Sequence, residues 1–214
     1  MGARADHLLE GRHGSLDAST AHRSPIALKG RTMSNINQTN LAVLRAVGDA
    51  DVEAMYLASG DRDLARFWQL GGETPPPEVF RRAMFDGVLA RFMVVDPSDS
   101  NVRFGSVAAY AADHSSGHCS VRVSPLVPPA RVANQLTAGL EGLIDHLFEF
   151  FTFGKVYLEL ADYEREMTTD TFLQQLSEEA TFKHHKFLGG QHWSQSTFAV
   201  YRATWIGANG VSAP

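Results

Sequence analysis

Apolar and polar residues alternate between helical and extended spacing from residue 41 onwards. The apolar run 41–47 predicts a first strand, and helical spacing predicts helices over 52–59 and 61–70. The proline run at 75–77 predicts a rigid break that starts a further helix over 78–89. The first part of the chain is therefore predicted to be one strand followed by helices.

Extended spacing dominates the middle of the chain. Residues 90–95, 102–112 and 118–123 are predicted as strands, and the turn residues between the last two favour an antiparallel meander. A long helix follows, with a wide apolar stripe from Val132 to Phe151. Because a strand comes before and after this helix, we expect two parallel neighbours joined by a right-handed crossover.

The last part of the chain returns to mixed spacing. We expect a strand over 155–161, a helix over 168–179, and two closing strands over 181–188 and 197–205. In this order the elements predict a mixed α/β (α+β) fold and argue against a doubly wound parallel sheet.

Both ends of the chain differ from its centre. Residues 1–38 are rich in Gly, Ser, Arg, His and Asn. Such a segment buries too little apolar surface to offset its ordering entropy. We therefore expect a disordered N-terminal tail over 1–38, a domain over 39–206 and a flexible C-terminus over 207–214. Met33 is a candidate alternative start, which would make residues 1–32 upstream sequence.

The composition favours a globular protein in a reducing compartment. Hydrophobic residues make up 44% and charged residues 20% of the chain, which is close to globular averages. The net charge of −5 argues against a nucleic-acid partner. The single cysteine, Cys119, excludes an internal disulfide and a multi-cysteine zinc site, and we interpret it as an apolar filler. With no membrane-spanning run and no secretory segment, we expect a cytoplasmic protein without membrane contact.

Residues 41–51, 104–110, 121–125 and 197–205 together resemble the GNAT superfamily of N-acyltransferases, and most closely its ribosomal-protein and protein N-terminal acetyltransferase branch. The stretch Phe104-Gly-Ser-Val-Ala-Ala-Tyr110 resembles the third strand of that family, and Val121-Arg-Val-Ser-Pro125 resembles its cofactor-binding strand. Residues 41–51 resemble the first strand and turn, and residues 197–205 resemble the last strand. The resemblance covers roughly residues 41–205.

The resemblance implies both a fold and a reaction. The fold would be a central mixed, mostly antiparallel sheet of six to seven strands flanked by helices on both faces. The co-substrate would be acetyl-CoA or another acyl-CoA, with no metal. The acceptor would be a small-molecule amine or a protein N-terminus, and the resemblance leaves room for a homodimer.

The resemblance also assigns the binding of coenzyme A. Main-chain groups at Val121 and Val123 would pair with the pantetheine arm, where side-chain identity matters little. The family's phosphate-binding turn corresponds here to Arg131, Val132, Ala133, Asn134 and Gln135. Val132 and Asn134 stand where the family has glycines, so the turn is degenerate. A valine adopts a positive φ only at a cost, whereas the helix N-terminus and Arg131 still suit an anion.

Acyl transfer to an amine requires a base for the amine and an acid for the leaving thiolate. His118 falls near the position where some members of the family carry a basic glutamate, and an imidazole has a suitable intrinsic pKa. Leu173 falls near the family's acidic tyrosine, so Tyr163 is the candidate phenol.

Several alternatives remain open from the sequence. His118 also fits an exposed residue at a hairpin end, and the base can equally be a water molecule. The missing turn glycines fit a non-catalytic ligand- or partner-binding module of the same fold, or an acyltransferase that uses an acyl carrier protein. His184 and His185 are adjacent on a predicted strand and point to opposite faces, so no metal site is expected there.

Overall fold

The computed structural model describes residues 41–68, 70 and 72–209. The predicted tail over 1–38, the candidate start at Met33 and residues 210–214 therefore lie outside the described residues. The strands are β1 (Val43–Ala46), β2 (Val88–Val95), β3 (Arg103–Asp113), β4 (His118–Pro125), β5 (Lys155–Ala161), β6 (Ser177–Leu188) and β7 (Gln191–Tyr201). The α-helices are α1 (Asp49–Gly60), α2 (Pro77–Ala83), α3 (Ala133–Phe150), α4 (Asp170–Leu173) and α5 (Arg202–Asn209). Short 3-10 turns cover Ala65–Phe67, Pro129–Arg131 and Asp162–Met167.

The strands form one seven-stranded sheet in the order β1-β2-β3-β4-β5-β7-β6. Neighbouring strands are antiparallel except for β4 and β5, which run parallel on either side of the long helix α3 in sequence. The mixed, mostly antiparallel sheet and the single parallel pair confirm the predicted fold class.

Helix α3 covers one face of the sheet because its apolar stripe is wide enough to bury a row of leucines. Leu136, Leu140, Leu143 and Leu147 are all fully buried. Gly139 lets the helix approach closely, since a Cβ atom at this position would lie 2.4 Å from Cγ2 of Val94 on β2. The main core therefore lies between α3 and the sheet.

A second, smaller core lies on the opposite face, under α1 and α2. Met55 of α1 and Phe80 of α2 are fully buried there against Met93 of β2. Trp68, in the segment between the two helices, packs against Phe80 with ring centroids 6.2 Å apart. Helices on both faces of the sheet were expected, and the two cores confirm this arrangement.

A buried carboxylate joins α1 to the sheet. Asp51 is 2% exposed, and its side chain accepts hydrogen bonds from Arg45 of β1, from Arg103 of β3 and from the main-chain N–H of Gly48. Burial alone would raise the pKa of Asp51, but these donors outweigh it and lower the pKa to about 2. The first turn of α1 is thus fixed to β1 and β3.

The helix predicted over 61–70 is wrong, because only the 3-10 turn Ala65–Phe67 forms there. The Asp61 carboxylate accepts hydrogen bonds from the main-chain N–H groups of Asp63 and Leu64, at 2.9 and 3.1 Å. Such local side-chain bonds compete with helix formation. The next predicted helix, 78–89, also ends early.

Two further predicted boundaries are wrong near the C-terminus. The helix expected over 168–179 ends at Leu173, because the chain from Ser177 pairs with β7. The last strand ends at Tyr201 and continues directly into α5. Arg202, the first residue of α5, donates to the carbonyl oxygens that follow the end of α3, at Phe151 and Phe153.

Candidate active site

At the centre of the sheet the pairing between β4 and β5 stops part-way along the strands, and we call the opening beyond it the cleft. The two parallel strands pair from His118 opposite Lys155 to Val121 opposite Leu158, and the pairing stops there. Beyond this point β4 still pairs with β3 as far as Pro125, while β5 pairs with β7. Among the described residues, no strand pairs with the side of β4 that faces β5 beyond Val121. Unpaired main-chain groups of this kind need another partner.

Successive side chains of β4 point to opposite faces of the sheet, so the two sides of the cleft are lined differently. Val121 and Val123 are buried in the main core under α3, so their main-chain groups are the parts that a ligand in the cleft can reach. Arg122 and Ser124 lie on the opposite face, towards α1 and α2. The structure therefore places the two valines that were assigned to pantetheine directly at the end of the strand pairing.

The N-terminus of α3 lies just after the cleft strand. The 3-10 turn Pro129–Arg131 leads into the helix, and Val132 occupies the N-cap position with a φ of −136°. The Val132 side chain is 7% exposed and belongs to the main core. The positive φ that would strain a valine is therefore not adopted here.

The first turn of α3 keeps its donors available. Within the part of the chain that the structure describes, no group accepts a hydrogen bond from the main-chain N–H of Ala133, Asn134 or Gln135. The Arg131 and Asn134 side chains are exposed at the same helix end. A helix N-terminus with unpaired N–H groups and a nearby guanidinium suits a phosphate group.

The 3-10 turn Asp162–Met167 follows β5 and packs against both α3 and the turn that precedes α3. It carries Tyr163, whose ring packs between Phe67 and Trp193 with centroids 6.5 and 5.6 Å away. The structure shows no hydrogen bond to the Tyr163 hydroxyl from any described residue. Burial, assisted by the charge of Glu164, raises the pKa of Tyr163 to about 12. This phenol stays protonated near neutral pH and can donate a proton.

His118 lies at the start of β4, in the paired part of the sheet. Its ring contacts Tyr157 edge-on, with centroids 5.5 Å apart. It lies three positions before Val121, the last paired residue, which corresponds to about 10 Å along the strand. A proton would therefore reach His118 from the cleft through water.

Two carboxylates at the cleft were not identified from the sequence. Glu159 is the first residue of β5 beyond the last β4–β5 pair, and it accepts a hydrogen bond from Nε2 of Gln195 at 3.2 Å. Glu164 is 6% exposed and accepts a hydrogen bond from the Ala161 main-chain N–H. Burial raises the pKa of Glu164, which favours proton uptake at this point. Glu159 could have been found from its place in the predicted strand, on the same face as Tyr157.

The described residues hold no group of three or more metal-ligating side chains. The His184 and His192 rings lie 6.3 Å apart at the outer hairpin, far along the chain from the cleft. Within the described ranges, no helix is long and apolar enough to cross a membrane.

No protein-family model and no curated protein matches the sequence. Solved structures do match the fold. The spermidine N-acetyltransferase from Vibrio cholerae in complex with CoA and spermine superposes with a TM-score of 0.64 at 15% identity, covering 78% of this chain and 98% of that chain.

Two further matches are a GNAT-family acetyltransferase from Bacillus anthracis and a GCN5-related N-acetyltransferase from Brucella melitensis. The first has a TM-score of 0.59 at 12% identity, over 76% of this chain and 96% of that chain. The second has a TM-score of 0.55 at 19% identity, over 77% of both chains. The protein thus has the fold of the GNAT acetyltransferases. The finer resemblance to the ribosomal-protein and protein N-terminal branch stays a prediction.

Proposed function

We propose that the protein is an acyl-CoA-dependent N-acyltransferase, with acetyl-CoA as its donor. The observation that carries the proposal is the cleft between β4 and β5, which leads to the N-terminus of α3. An extended donor with amide groups in its arm and phosphates at one end matches this combination. The matched spermidine N-acetyltransferase structure contains CoA, which is consistent with this choice of donor.

The donor would be held mainly by the main chain. Amides of the pantetheine arm pair with main-chain groups of β4 at and beyond Val121, including Val123. The pyrophosphate lies against the N–H groups of Ala133, Asn134 and Gln135, where the helix end supplies positive potential. Arg131 adds a charged donor, and Val132 stays in the core.

The reaction is a direct attack on the thioester. The amine nitrogen forms a bond to the acyl carbon, the carbon–sulfur bond breaks, and the thiolate leaves. Tyr163 gives its proton to the sulfur, and the amine proton passes to a base. Two residues compete for the role of base: His118, through water, and Glu159, which stands at the cleft itself.

The acceptor is an amine of a small molecule or of a protein N-terminus. One matched structure holds spermine, so an amine acceptor is in keeping with the fold. A cytoplasmic location and a homodimer remain predictions that accompany this function.

A rival proposal is a non-catalytic module, or an acyltransferase that uses an acyl carrier protein. The turn before α3 lacks both glycines, and Leu173, 8% exposed, replaces the helix tyrosine of the family. A donor held through its pantetheine arm alone would need the phosphate turn less.

Titration calorimetry of the full chain with acetyl-CoA and free coenzyme A tests the proposal. We expect micromolar binding, followed by amine-dependent release of thiol. Transfer from an acylated carrier protein without any from acetyl-CoA would favour the rival donor. An absence of binding at millimolar ligand would rule out acyl-CoA as the donor.

A pair of variants then separates the candidate bases. If Glu159 is the base, Glu159→Gln lowers kcat by about 100-fold, and His118→Gln leaves it within twofold. The reverse order would assign the base to His118. If both variants keep the kcat of the wild-type protein, neither side chain is the base, and a water molecule takes that role.

A further inference from the structure

Two arginines line up across three strands on the face of the sheet under α1 and α2. Arg91 of β2 is directly opposite Ala108 of β3, and Ala108 is directly opposite Arg122 of β4. Their Cα atoms are therefore about 10 Å apart, two strand spacings. The small Ala108 side chain leaves the space between the two long side chains open.

Neither arginine forms an ion pair with any described residue. Arg91 donates from Nε to the Met84 carbonyl oxygen at 2.8 Å, and its Nη1 lies 3.5 Å from the Ser106 hydroxyl. Arg122 stacks over Tyr110, with Cζ 4.0 Å from the ring centroid, and its buried Nε has no hydrogen-bond partner in the described part of the chain. By contrast, five other arginines of the described ranges pair with carboxylates, namely Arg45, Arg66, Arg81, Arg103 and Arg165.

No described carboxylate forms an ion pair with either charge, although Glu159 is next to Arg122 in the strand register. Burial, with the charge of Arg122 as a second cause, lowers the pKa of Arg91 to about 10. The Glu164 carboxylate is close enough to Arg122 to interact electrostatically, but it is bonded to the Ala161 N–H. Asp86 is exposed at the rim. Partly buried cations that form no ion pair carry a desolvation cost, and they are typical of sites that bind an anion.

The arginines border space for a ligand group beside the cleft. Arg91, Arg122 and Met84 line two adjoining cavities, the larger of which has a volume of about 160 Å³. The smaller one is also lined by Trp68 and Ser124. Because Arg122 is the first residue of β4 beyond the pairing with β5, this space lies beside the end of the proposed pantetheine arm that is farthest from α3, and that end carries the thioester.

We propose that the acceptor carries an anionic group, a carboxylate or a phosphate, beside its amine, and that Arg91 and Arg122 bind this group. The proposal rests on the proposed acyl transfer, because it places the anion where the acceptor must lie. Guanidinium groups donate two parallel hydrogen bonds to either anion. A polyamine such as the spermine of the matched Vibrio cholerae structure would instead bring positive charge to two unpaired cations.

Four short amines of similar size test the charge preference. They are β-alanine with a carboxylate, O-phosphoethanolamine with a phosphate, propylamine with an uncharged methyl end, and 1,3-diaminopropane with a second ammonium group. Binding to the full chain saturated with coenzyme A is measured by NMR titration, so that the readout does not depend on turnover. We expect at least one anionic amine to bind about tenfold or more tighter than propylamine, and the diamine to bind weakest. The preferred anion distinguishes a carboxylate acceptor from a phosphate acceptor.

The variants Arg91→Gln and Arg122→Gln are each expected to reduce this preference about tenfold or more while coenzyme A binding persists. Arg82→Gln is the matched control, because Arg82 is exposed on α2 and does not line the cavities. If Arg91→Gln does not fold, Arg122→Gln decides the test, since coenzyme A binding reports its integrity.

Two results would overturn the proposal: propylamine or the diamine binding as tightly as both anionic amines, or an anion preference that survives both arginine substitutions. Failure of the proposed function gives a different result from failure of the anion site. If only the proposed function is wrong, the protein does not bind coenzyme A, but it still binds anionic amines in a way that depends on the two arginines.

Discussion

Replacing Asp51 with asparagine is expected to destabilise the protein strongly, because this carboxylate holds α1 on the sheet. The folded-state pKa of Asp51 is about 2, against an ordinary value of 3.8. One pKa unit corresponds to about 1.4 kcal/mol, and screening around the partly exposed Arg45 and Arg103 reduces the charge contribution to about 2 kcal/mol. The substitution also leaves both guanidinium groups facing a neutral amide, so the total loss at pH 7 is about 3 kcal/mol.

The pH dependence follows from the sign of the shift. The folded state favours the charged carboxylate, so its contribution is complete above about pH 5 and is lost as the pH falls from about 4 to about 2. Urea unfolding followed by circular dichroism from pH 7 to pH 2.5 measures this loss. We expect Asp51→Asn to flatten the fall in unfolding free energy within that window.

The matched control is Asp49→Asn on the same helix turn. Asp49 is 93% exposed and pairs with Arg81, so its loss should cost less than about 1 kcal/mol. If Asp51→Asn were no more destabilising than this control, or if its acid limb matched that of the wild type, the argued role of the buried carboxylate would be refuted.

Two other substitutions test the site and the packing. If the proposed acyl transfer occurs, Tyr163→Phe should lower kcat about 100-fold with an unchanged Kd for coenzyme A. The wild-type protein should show no alkaline loss from this phenol below about pH 10, because the pKa of Tyr163 is about 12. A twofold effect in steady-state kinetics would exclude Tyr163 as the proposed acid. Gly139→Ala should lower the free energy of unfolding by about 1–3 kcal/mol, because the new Cβ would lie 2.4 Å from Val94. Adding Val94→Ala should recover part of this loss. Strict additivity of the two substitutions in a double-mutant cycle would contradict the contact.

The central elements of the fold could be predicted because their residue periods are unmistakable. Strand β5 was predicted with its observed bounds, and the apolar stripe predicted for helix α3 reaches to within one residue of each observed end. The errors lie where local hydrogen bonds, or pairing with a distant strand, outweigh the structure that the apolar spacing predicts. The Asp61 turn replaces helical bonds after α1, and residues from Ser177 become a strand only because β7 lies beside them.

The candidate site also has a part that could be proposed from the sequence and a part that could not. The strand and helix end that are proposed to bind the donor follow one another in the sequence, so resemblance to a known family was sufficient to propose them. Arg91 and Arg122 come from strands that are separated by another strand, and their alignment through Ala108 depends on two registers that no local pattern specifies. The alignment of these two arginines could therefore be found only in the folded structure.

The missing pairing between β4 and β5 has a consequence for how this protein can change over time. Every residue type except proline presents the same main-chain donor and acceptor, so a ligand that completes the sheet would not depend on which side chains stand beyond Val121. Substitutions along that strand are then constrained by the core and by the acceptor, and hardly at all by the donor. A binding surface made of main-chain groups can therefore be retained while the amino-acid sequence of the strand is almost entirely replaced.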